Sequence, residues 1–420
     1  MRRLPASRIG DAPGVRRPLQ LAAVVAAVAA LAFCAAAGVI RLRGASPPAS
    51  VSLELPAELS APGTPVDIPL PSAGSLVVDG EADTRLAAVD PDSVRAVGSV
   101  AKAMTALVVL EARPLSASDE GPVLTMTAAD VAGYQATIAA DGSALAVTEG
   151  ERLSERRLLL ALLLPSANNV ADSLGRWVSG SNAAFVARLN RTALSLGMTR
   201  THFEDASGFS PATVSSAADL IRLGRAVLAS PTLSELVATP AAVLPDGTPL
   251  HNLDTLLSAV PGWLGIKTGE TPTAGGCLLF AARREVGAGA SATLVGAVLG
   301  QPHLAQALEA ARRTADAAFA GYVGVSLTTP PPGAGGSVTT SWGDRAAARL
   351  GPSAASPRAL RRAAVLSLDP AVGPVPAPLQ SGQTVGWVRA RLGGRVVAEW
   401  PVLCGAAVPG PSIWWRLVHG

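Results

Sequence analysis

An uninterrupted run of apolar residues and glycine covers positions 21–40, and it limits what the rest of the chain can become. A helix needs about 20 such residues to cross a bilayer. Five arginines precede the run, whereas only Arg41 and Arg43 closely follow it. By the positive-inside rule, this asymmetry leaves the amino terminus in the cytoplasm. We therefore expect a cytoplasmic basic tail over residues 1–18 and a single-pass membrane anchor over 19–40, with the remaining chain outside the cytoplasm.

The same segment also has features of a cleaved signal peptide. Ala35, Ala36 and Ala37 are small residues of the kind found at a cleavage site. Cleavage there would release the chain as a secreted protein. A lipoprotein signal is less favoured, because the bulky Phe33 precedes Cys34 where a small residue is needed. We favour the retained anchor.

Two stretches rich in proline and small residues divide the exported part of the chain. Residues 41–74 lack helical or strand periodicity, and their composition predicts an extended stalk. Residues 326–345 include a second Pro/Gly-rich run and predict a linker. These boundaries predict a large domain over 75–325 and a small β-rich domain over 346–420.

The distribution of charge argues against a nucleic-acid partner. The chain has a formal net charge of +3, but residues 1–43 contain seven Arg and one Asp, so the remainder carries −3. Outside that tail, the sequence has no Lys/Arg stripe of the kind that binds a phosphate backbone. Cys34, Cys277 and Cys404 show no metal-binding spacing, and neither do the four histidines. We expect no metal and no cofactor. Cys277 and Cys404 could pair outside the cell, but we favour a buried free thiol at each position.

Hydrophobic periodicity predicts helices first and strands later. Apolar residues recur at helical spacing over 99–112, and helices dominate until about residue 229. Short apolar runs over 276–282 and 292–299 predict strands, which a helix at about 302–320 follows.

An early strand and a late hairpin complete the expected fold. The strand near residues 76–78 would join the later strands in one sheet, so that the helices form an insertion. Residues 384–392 and 395–403 flank Gly393-Gly394 and predict a β-hairpin. The predicted fold class is therefore mixed α/β (α+β), with a helical insertion in the sheet and a small C-terminal β domain.

Lysine is almost absent from this chain. It contains 32 Arg but only two Lys, Lys102 and Lys267. Arginine serves wherever a cation merely has to be positive, whereas a lysine amine is compact and can become neutral when it is buried. The two lysine positions are therefore candidates for chemistry that arginine cannot perform.

Lys102 belongs to a Ser-x-x-Lys motif that begins at Ser99. This spacing puts a hydroxyl and an amine one helical turn apart on one face, so the amine can hydrogen-bond the hydroxyl. Ser99 also opens the predicted helix, where backbone N–H groups favour developing negative charge. Alone, the tetrad is common and is usually an ordinary helix start.

Two further motifs are polar sequences at places where apolar segments begin or end. Ser166-Ala167-Asn168 follows the apolar run 158–164, and Lys267-Thr268-Gly269 lies at the start of the strand-rich region. Each is weak in isolation. Ser166 comes 67 residues after Ser99, and Lys267 comes 101 residues after Ser166.

Together, in this order, the motifs resemble those of the serine penicillin-binding and β-lactamase superfamily. The chain is most similar to its D-alanyl-D-alanine carboxypeptidase branch, peptidase family S11. The resemblance implies a β-lactamase/transpeptidase-like catalytic domain, and the run 383–403 is similar, with less specificity, to the β domain appended in that branch. The stretches that carry the resemblance are 99–105, 162–171, 196–209, 215–220 and 262–279.

The resemblance implies a role for each motif residue. Ser99 would attack the carbonyl between two terminal D-alanines, with Lys102 as general base and Ser166 as proton relay. Asn168 would hold the substrate backbone, while Lys267 and Thr268 of the Lys-Thr-Gly269 motif would grip the terminal carboxylate. The expected substrate is the peptidoglycan stem peptide, and β-lactams would be covalent inhibitors.

The oxyanion hole implied by the resemblance consists of the backbone N–H groups of Ser99 and Glu270. Many relatives carry a neutral or aromatic residue at the second position, so Glu270 is a departure. We expect its side chain to point to solvent.

Two other functions remain open at this point. A class A-like β-lactamase needs a glutamate that activates the deacylating water, and Glu204 lies 38 residues past Ser166, although Gly208 stands where the companion Asn is expected. A catalytically silent wall-binding protein would keep the fold without the chemistry. Covalent labelling by a β-lactam separates the three functions, because a silent protein does not acylate and a lactamase turns over.

Overall fold

The computed structural model describes residues 16–71, 74–82, 84–116 and 118–419. Most of the expected cytoplasmic tail, residues 1–15, lies outside the described residues. The chain divides into two compact units. The larger unit comprises Ser60–Ser326 and Pro357–Ala364, and the smaller unit comprises the described residues up to Leu59, Leu327–Ser356 and the chain from Val365 onward.

The regular elements are numbered in chain order. The helices are α1 Arg16–Arg43, α2 Lys102–Ala112, α3 Ala128–Ala139, α4 Glu155–Leu163, α5 Asn168–Ser179, α6 Asn182–Ser195, α7 Ala217–Ala229, α8 Pro231–Val237, α9 Leu256–Ala259, α10 Leu304–Ala320 and α11 Ile413–His419, with a 3-10 turn at Gly98–Ala101. The strands are β1 Ser50–Glu54, β2 Leu59–Ser60, β3 Ser75–Asp79, β4 Arg85–Val89, β5 Arg95–Ala96, β6 Val123–Thr125, β7 Arg152–Ser154, β8 Val214–Ser215, β9 Ala241–Val243, β10 Pro249–His251, β11 Trp263–Thr271, β12 Gly275–Glu285, β13 Ser291–Gln301, β14 Tyr322–Val325, β15 Gly335–Thr339, β16 Arg345–Leu350, β17 Arg358–Arg361, β18 Val365–Val372, β19 Thr384–Leu392 and β20 Arg395–Cys404.

The larger unit is built on an antiparallel sheet with the strand order β11-β12-β13-β3-β4. Successive side chains of a strand point to opposite faces. On β12, Leu278 and Phe280 pack in the core that includes α10, whereas Leu279 and Ala281 pack in the core of the helical insertion. Because both faces are buried, β12 is a nearly continuous apolar run with little polar alternation.

Helix α2 is the central helix of the insertion. All its residues from Lys102 to Leu110 are buried, and it contacts α4, α5 and α7. A helix that is apolar all round must lie inside a core. Lys102, the one ionisable residue among these buried positions, is therefore placed where water cannot solvate its side chain.

The smaller unit contains an antiparallel sheet in which β1, β15, β16, β20, β19 and β18 follow one another. The predicted hairpin is confirmed as β19 and β20. Gly393 and Gly394, which form its turn, both have positive φ values of 54° and 83°. Tight hairpin turns require this backbone conformation, which glycine adopts without steric cost.

The structure corrects the prediction of an extended stalk over residues 41–74. Residues 50–54 form β1 and pair with β15, which itself lies within the predicted linker 326–345. Farther along the stalk, Ile68 and Leu70 pack against the core of the larger unit. The composition of 41–74 concealed this order, because the partners of these residues lie more than two hundred positions away.

The predicted limits of the two domains also change. The larger unit begins at Ser60 and not at residue 75. It also includes Pro357–Ala364, which the sequence analysis assigned to the small domain. Within Pro357–Ala364, β17 pairs antiparallel with β14. A cut within the predicted linker 326–345 would therefore remove a strand from the larger unit.

We predict that Gly296→Ala destabilises the protein. Gly296 of β13 pairs with Phe280 of β12, and a Cβ at position 296 would lie 2.1 Å from the Phe280 ring. Overpacking of a core typically costs about 1–3 kcal/mol. We expect a lower midpoint of thermal unfolding, measured on the detergent-solubilised full chain.

The matched control is Gly133→Ala in α3, where an added Cβ has no atom within 4 Å. Replacing a helical glycine by alanine stabilises by roughly 0.5–1 kcal/mol. Gly133→Ala should therefore leave the midpoint unchanged or raise it. An unchanged midpoint for Gly296→Ala would contradict the close packing of β12 and β13.

Candidate active site

Ser99 lies in the 3-10 turn that leads directly into α2. The predicted helix over 99–112 is therefore confirmed, with its first turn wound more tightly. Gly98 has φ +52°, which lets the chain enter this turn sharply. Ser99 is half-buried, so its hydroxyl remains within reach of a ligand.

The amine of Lys102 has three oxygen neighbours. Its Nζ atom lies 2.7 Å from Ser99 Oγ, 2.6 Å from Asn168 Oδ1 and 2.8 Å from the carbonyl oxygen of Ser207. A neutral amine has two N–H groups and one lone pair. The two carbonyl-type oxygens, which only accept, can take both N–H groups, which leaves the lone pair directed at the Ser99 hydroxyl.

The surroundings of Lys102 favour this neutral form. Burial lowers the pKa of Lys102 well below its ordinary value, and the positive charge of Lys267 lowers it further. The carboxylates of Asp205 and Asp172 oppose the shift by attracting the charged form. Burial is the largest of these effects, so the core around α2 makes the amine a base.

The loop that carries Ser207 is held by Asp205, a residue that sequence reasoning did not single out. The Asp205 carboxylate accepts hydrogen bonds from the hydroxyls of Ser207 and Thr213 and from the backbone N–H groups of Gly208 and Phe209. Aspartate is typical of turns in which the side chain replaces a backbone partner. Asp205 therefore fixes the carbonyl to which Lys102 donates.

Gly208 permits close contact between this loop and the turn of Ser99. It has φ +76°, and a Cβ there would lie 1.9 Å from the carbonyl oxygen of Gly98. The position where a class A-like lactamase would have its Asn thus has no room for any side chain. Glu204, the candidate deacylation residue, is 60% exposed and lies 3.4 Å from His202. This geometry disfavours the lactamase function.

Ser166 and Asn168 lie between α4 and α5. Asn168 is the first residue of α5, and its backbone N–H donates to the carbonyl of Ser143 at 2.7 Å. Ser166 has a strained φ of +67°. Within the described part of the chain, its buried hydroxyl has no hydrogen-bond partner. Strained backbone and unpaired buried hydroxyls cluster at functional sites.

The Lys-Thr-Gly motif is on β11, beside the turn of Ser99. A Cβ at Gly269 would lie 2.6 Å from the carbonyl oxygen of Val97 and 3.1 Å from the backbone nitrogen of Ser99. The glycine is therefore required because the chain's own backbone passes here. The backbone nitrogen of Glu270 lies 3.3 Å from the Cβ position of Gly98. The two segments that carry the N–H groups expected to form an oxyanion hole thus lie against one another.

Lys267 is buried on the same strand, with Nζ 3.2 Å from the Thr268 carbonyl oxygen and 3.3 Å from its hydroxyl. Burial lowers the pKa of Lys267 to about 7. The attraction of the Asp254 carboxylate opposes this effect by favouring the charged amine.

Asp254 is a second residue that sequence reasoning missed. It is 2% exposed, and it accepts hydrogen bonds from Trp263 Nε1 at 2.9 Å and from the backbone N–H of Leu256 at 3.2 Å. Burial raises the pKa of Asp254 to about 6. A single aspartate in a loop has no sequence signal that ties it to a lysine 13 positions later. Only the fold brings the two charges within range.

The side chain of Glu270 is exposed, as expected, and it also has a structural partner. Its Oε1 accepts the backbone N–H of Leu304 at 3.1 Å and lies 3.4 Å from His303 Nδ1. It therefore caps the amino terminus of α10, where a carboxylate is favourable. This contact holds the charge of Glu270 at the helix end.

The structure thus joins Ser99, Lys102 and Asn168 in one hydrogen-bonded set and brings Gly269 against the turn of Ser99. Ser166 remains outside the hydrogen-bonded set. Among the described residues, no group of three or more His, Cys, Asp or Glu side chains could hold a metal ion. Cys277 and Cys404 are both buried free thiols.

Comparisons with known proteins identify the family of this chain. The family model of the peptidase S11 D-alanyl-D-alanine carboxypeptidases matches residues 64–300. The D-alanyl-D-alanine carboxypeptidase DacB2 of Mycobacterium tuberculosis is 32% identical over 226 residues, which cover 52% of this chain and 73% of the relative. A D-alanyl-D-alanine endopeptidase of Pseudomonas aeruginosa is 31% identical over 224 residues, with 52% and 69% covered.

A solved structure shows the same fold. The crystal structure of the Streptomyces K15 DD-transpeptidase is similar with a TM-score of 0.54 and 28% identity, and the match covers 61% of this chain and 100% of that one. It confirms the predicted transpeptidase-like sheet with its helical insertion. Because the family model matches more than half of the chain and its range contains all three motifs, the chain belongs to the D-alanyl-D-alanine carboxypeptidase family of serine peptidases.

Proposed function

We propose that this chain is an exported, membrane-anchored enzyme that removes the terminal D-alanine from peptidoglycan stem pentapeptides through an acyl-enzyme on Ser99. One observation carries the proposal. The Lys102 amine is buried, has two carbonyl-type acceptors and lies 2.7 Å from Ser99 Oγ. A serine is a weak nucleophile until such a base takes its proton.

In the first step, Ser99 Oγ attacks the carbonyl carbon between the two D-alanines as Lys102 Nζ takes the hydroxyl proton. The negative charge that develops on the carbonyl oxygen is stabilised by the backbone N–H groups of Ser99 and Glu270. One such donor contributes about 3 kcal/mol in related oxyanion holes.

The tetrahedral intermediate then expels the terminal D-alanine. Its amine leaves with a proton that Lys102 gives up through the hydroxyl of Ser166. The unpaired hydroxyl of Ser166 supports this role, because a relay must be free to bond the leaving group. Water subsequently hydrolyses the ester on Ser99, with Lys102 again as base.

Substrate position depends on both lysine motifs. Asn168, whose amide also contacts Lys102, holds the peptide backbone of the substrate. Lys267 and Thr268 bind the terminal carboxylate, which requires Lys267 to be protonated. A β-lactam presents a similar carboxylate and a reactive amide, so it acylates Ser99 in the same way.

The proposed membrane anchoring of this protein depends on α1. The most apolar window of its segment Gln20–Arg43 has a mean hydropathy of 2.6, and none of that window is buried. A core helix of this composition would be covered by protein. We propose that lipid covers it and that α1 is a retained anchor. A signal peptide has the same composition, so detection of α1 in the membrane-bound mature protein is the direct test.

We predict different losses of activity when each lysine is replaced by arginine. Lys102→Arg introduces a side chain that stays protonated and cannot take the proton of Ser99, and loss of a general base typically costs about 10² to 10⁴ in rate. Lys267→Arg keeps an attraction for the substrate carboxylate, so it should raise KM and retain part of kcat. The measurements are acylation by a fluorescent penicillin and release of D-alanine from a pentapeptide, with products identified by mass spectrometry.

Ser99→Ala is the control that should abolish covalent labelling. If Lys102→Arg acylates at a rate close to that of the unmodified enzyme, Lys102 is not the base. Release of products other than terminal D-alanine would assign an endopeptidase or transpeptidase reaction. Fast release of hydrolysed penicillin would assign a lactamase.

We also predict that Asp254 sets the pH range in which substrate binds. Lys267 has a pKa of about 7, so its charge is lost as the pH rises through that value, and kcat/KM should fall there. Asp254→Asn removes the carboxylate that raises the pKa of Lys267. The falling limb of kcat/KM should therefore move to lower pH.

Asparagine can still accept from Trp263 Nε1, so the change mainly removes charge. The control is Asp246→Asn on the exposed loop between β9 and β10, which should leave the profile unchanged. An Asp254→Asn profile identical to that of the unmodified enzyme would show that Asp254 does not support the charge of Lys267.

A further inference from the structure

Helix α11 packs against the carboxyl end of α1. The guanidinium of Arg41 donates to the carbonyl oxygen of Leu417 at 2.7 Å. In return, Arg416 donates to the carbonyl oxygens of Leu42 and Gly44, both at 3.1 Å. The last carbonyl groups of a helix have no partner within it. Each helix therefore supplies hydrogen-bond donors to carbonyl groups at the carboxyl end of the other. We call this contact the arginine clasp.

Two additional contacts strengthen the arginine clasp. Arg416 Nη2 donates to the hydroxyl of Ser46 at 2.7 Å. A Cβ at Gly38 would lie 3.5 Å from the side chain of Leu417, so the helices are also in van der Waals contact. Contacts from Gly38 to Ser46 fix α11 at the level where the apolar part of α1 ends.

The adjacent tryptophans of α11 have different surroundings. Trp415 packs edge-on against Trp342, with ring centroids 5.7 Å apart, and stacks with His419 at 4.9 Å. Trp414 is 77% exposed, and so are Ile413 at 66% and Val418 at 68%. Positions 414 and 418 share one face of the helix, and 413 borders it. This exposed apolar face is the lipid face defined by Ile413, Trp414 and Val418.

We infer that α11 lies in the lipid–water interface beside the end of α1 and inserts its lipid face among the lipid headgroups. The arginine clasp places it there, because the apolar run of α1 ends at Ile40, just before Arg41. Tryptophan is enriched at this depth of a bilayer, where its ring is part apolar and part polar. Arg41 and Arg416 are positioned beside lipid phosphates, which favour positive charge.

A second copy of the chain is a less suitable occupant. A stable protein interface covers about 800 Å² on each partner, which three side chains of a seven-residue helix cannot supply. A bilayer needs no such area, because it already surrounds the adjoining α1. The inference rests on the proposed anchor.

The test uses the full chain reconstituted into vesicles of phosphatidylglycerol and phosphatidylcholine, with or without bromine near the top of the acyl chains. Bromine quenches tryptophan at short range, and α1 contains no tryptophan. We expect quenching in the unmodified protein that Trp414→Phe largely removes. Trp387→Phe is the matched control, because Trp387 is 43% exposed on β19, and it should leave the quenching in place.

Flotation of the vesicles separates the two proposals. Protein that floats while Trp414→Phe leaves the lipid-dependent quenching unchanged overturns the inference and leaves the anchor intact. Protein that does not float overturns the anchor and, with it, the interfacial position of α11. Unquenched Trp414 in a cross-linked dimer would assign the face to a second copy and also overturn the inference. Penicillin labelling of each variant verifies that the larger unit is folded.

Discussion

The burial of one amine, that of Lys102, is the constraint on which the rest of the larger unit depends. A charged amine inside a core is costly unless it is paired or loses its proton. Oxygen atoms from three separate segments surround it, with Asn168 and Ser207 as acceptors and the Ser99 hydroxyl beside the lone pair. Each segment is held by further contacts, such as the hydrogen bonds to Asp205 and the bond from Thr105 to the Ala206 carbonyl at 2.6 Å. The helical insertion therefore favours the neutral amine of Lys102 and holds its partners in place.

The second lysine has the opposite requirement, although it is buried in the same unit. In the proposed mechanism, Lys102 has to be neutral to act as a base, whereas Lys267 has to be charged to bind a carboxylate. Their mutual repulsion lowers the pKa of Lys102, and Asp254 supports the charge of Lys267. Environments that separate two pKa values in this way divide acid, base and binding roles between similar residues. The asymmetry explains why both positions are lysine in a chain that otherwise uses arginine.

The smaller unit changes the expected connection to the membrane. Only residues 44–49 separate the end of α1 from β1, and β1 pairs with β15 inside the sheet. A rigid strand thus takes the place of a flexible stalk. Under the proposed anchoring, the sheet of the smaller unit is tied to the bilayer through a short connection and through the arginine clasp. Such attachment limits how far this unit can tilt from the membrane.

The sequence by itself determined the class of fold, the order of its elements and the motif residues. Helix and strand periodicity are local signals, and the three motifs are short, so α2, α10, β12, β13 and the hairpin β19–β20 were all predictable. The tertiary structure decided what depends on distant residues. It placed Asp205 and Asp254 beside the two lysines, turned Glu270 to cap α10, and gave β1 and β17 their partners. Hydrogen bonds and charges act over a few ångströms in space, whatever the separation along the chain. Local sequence patterns therefore do not indicate which distant residues interact.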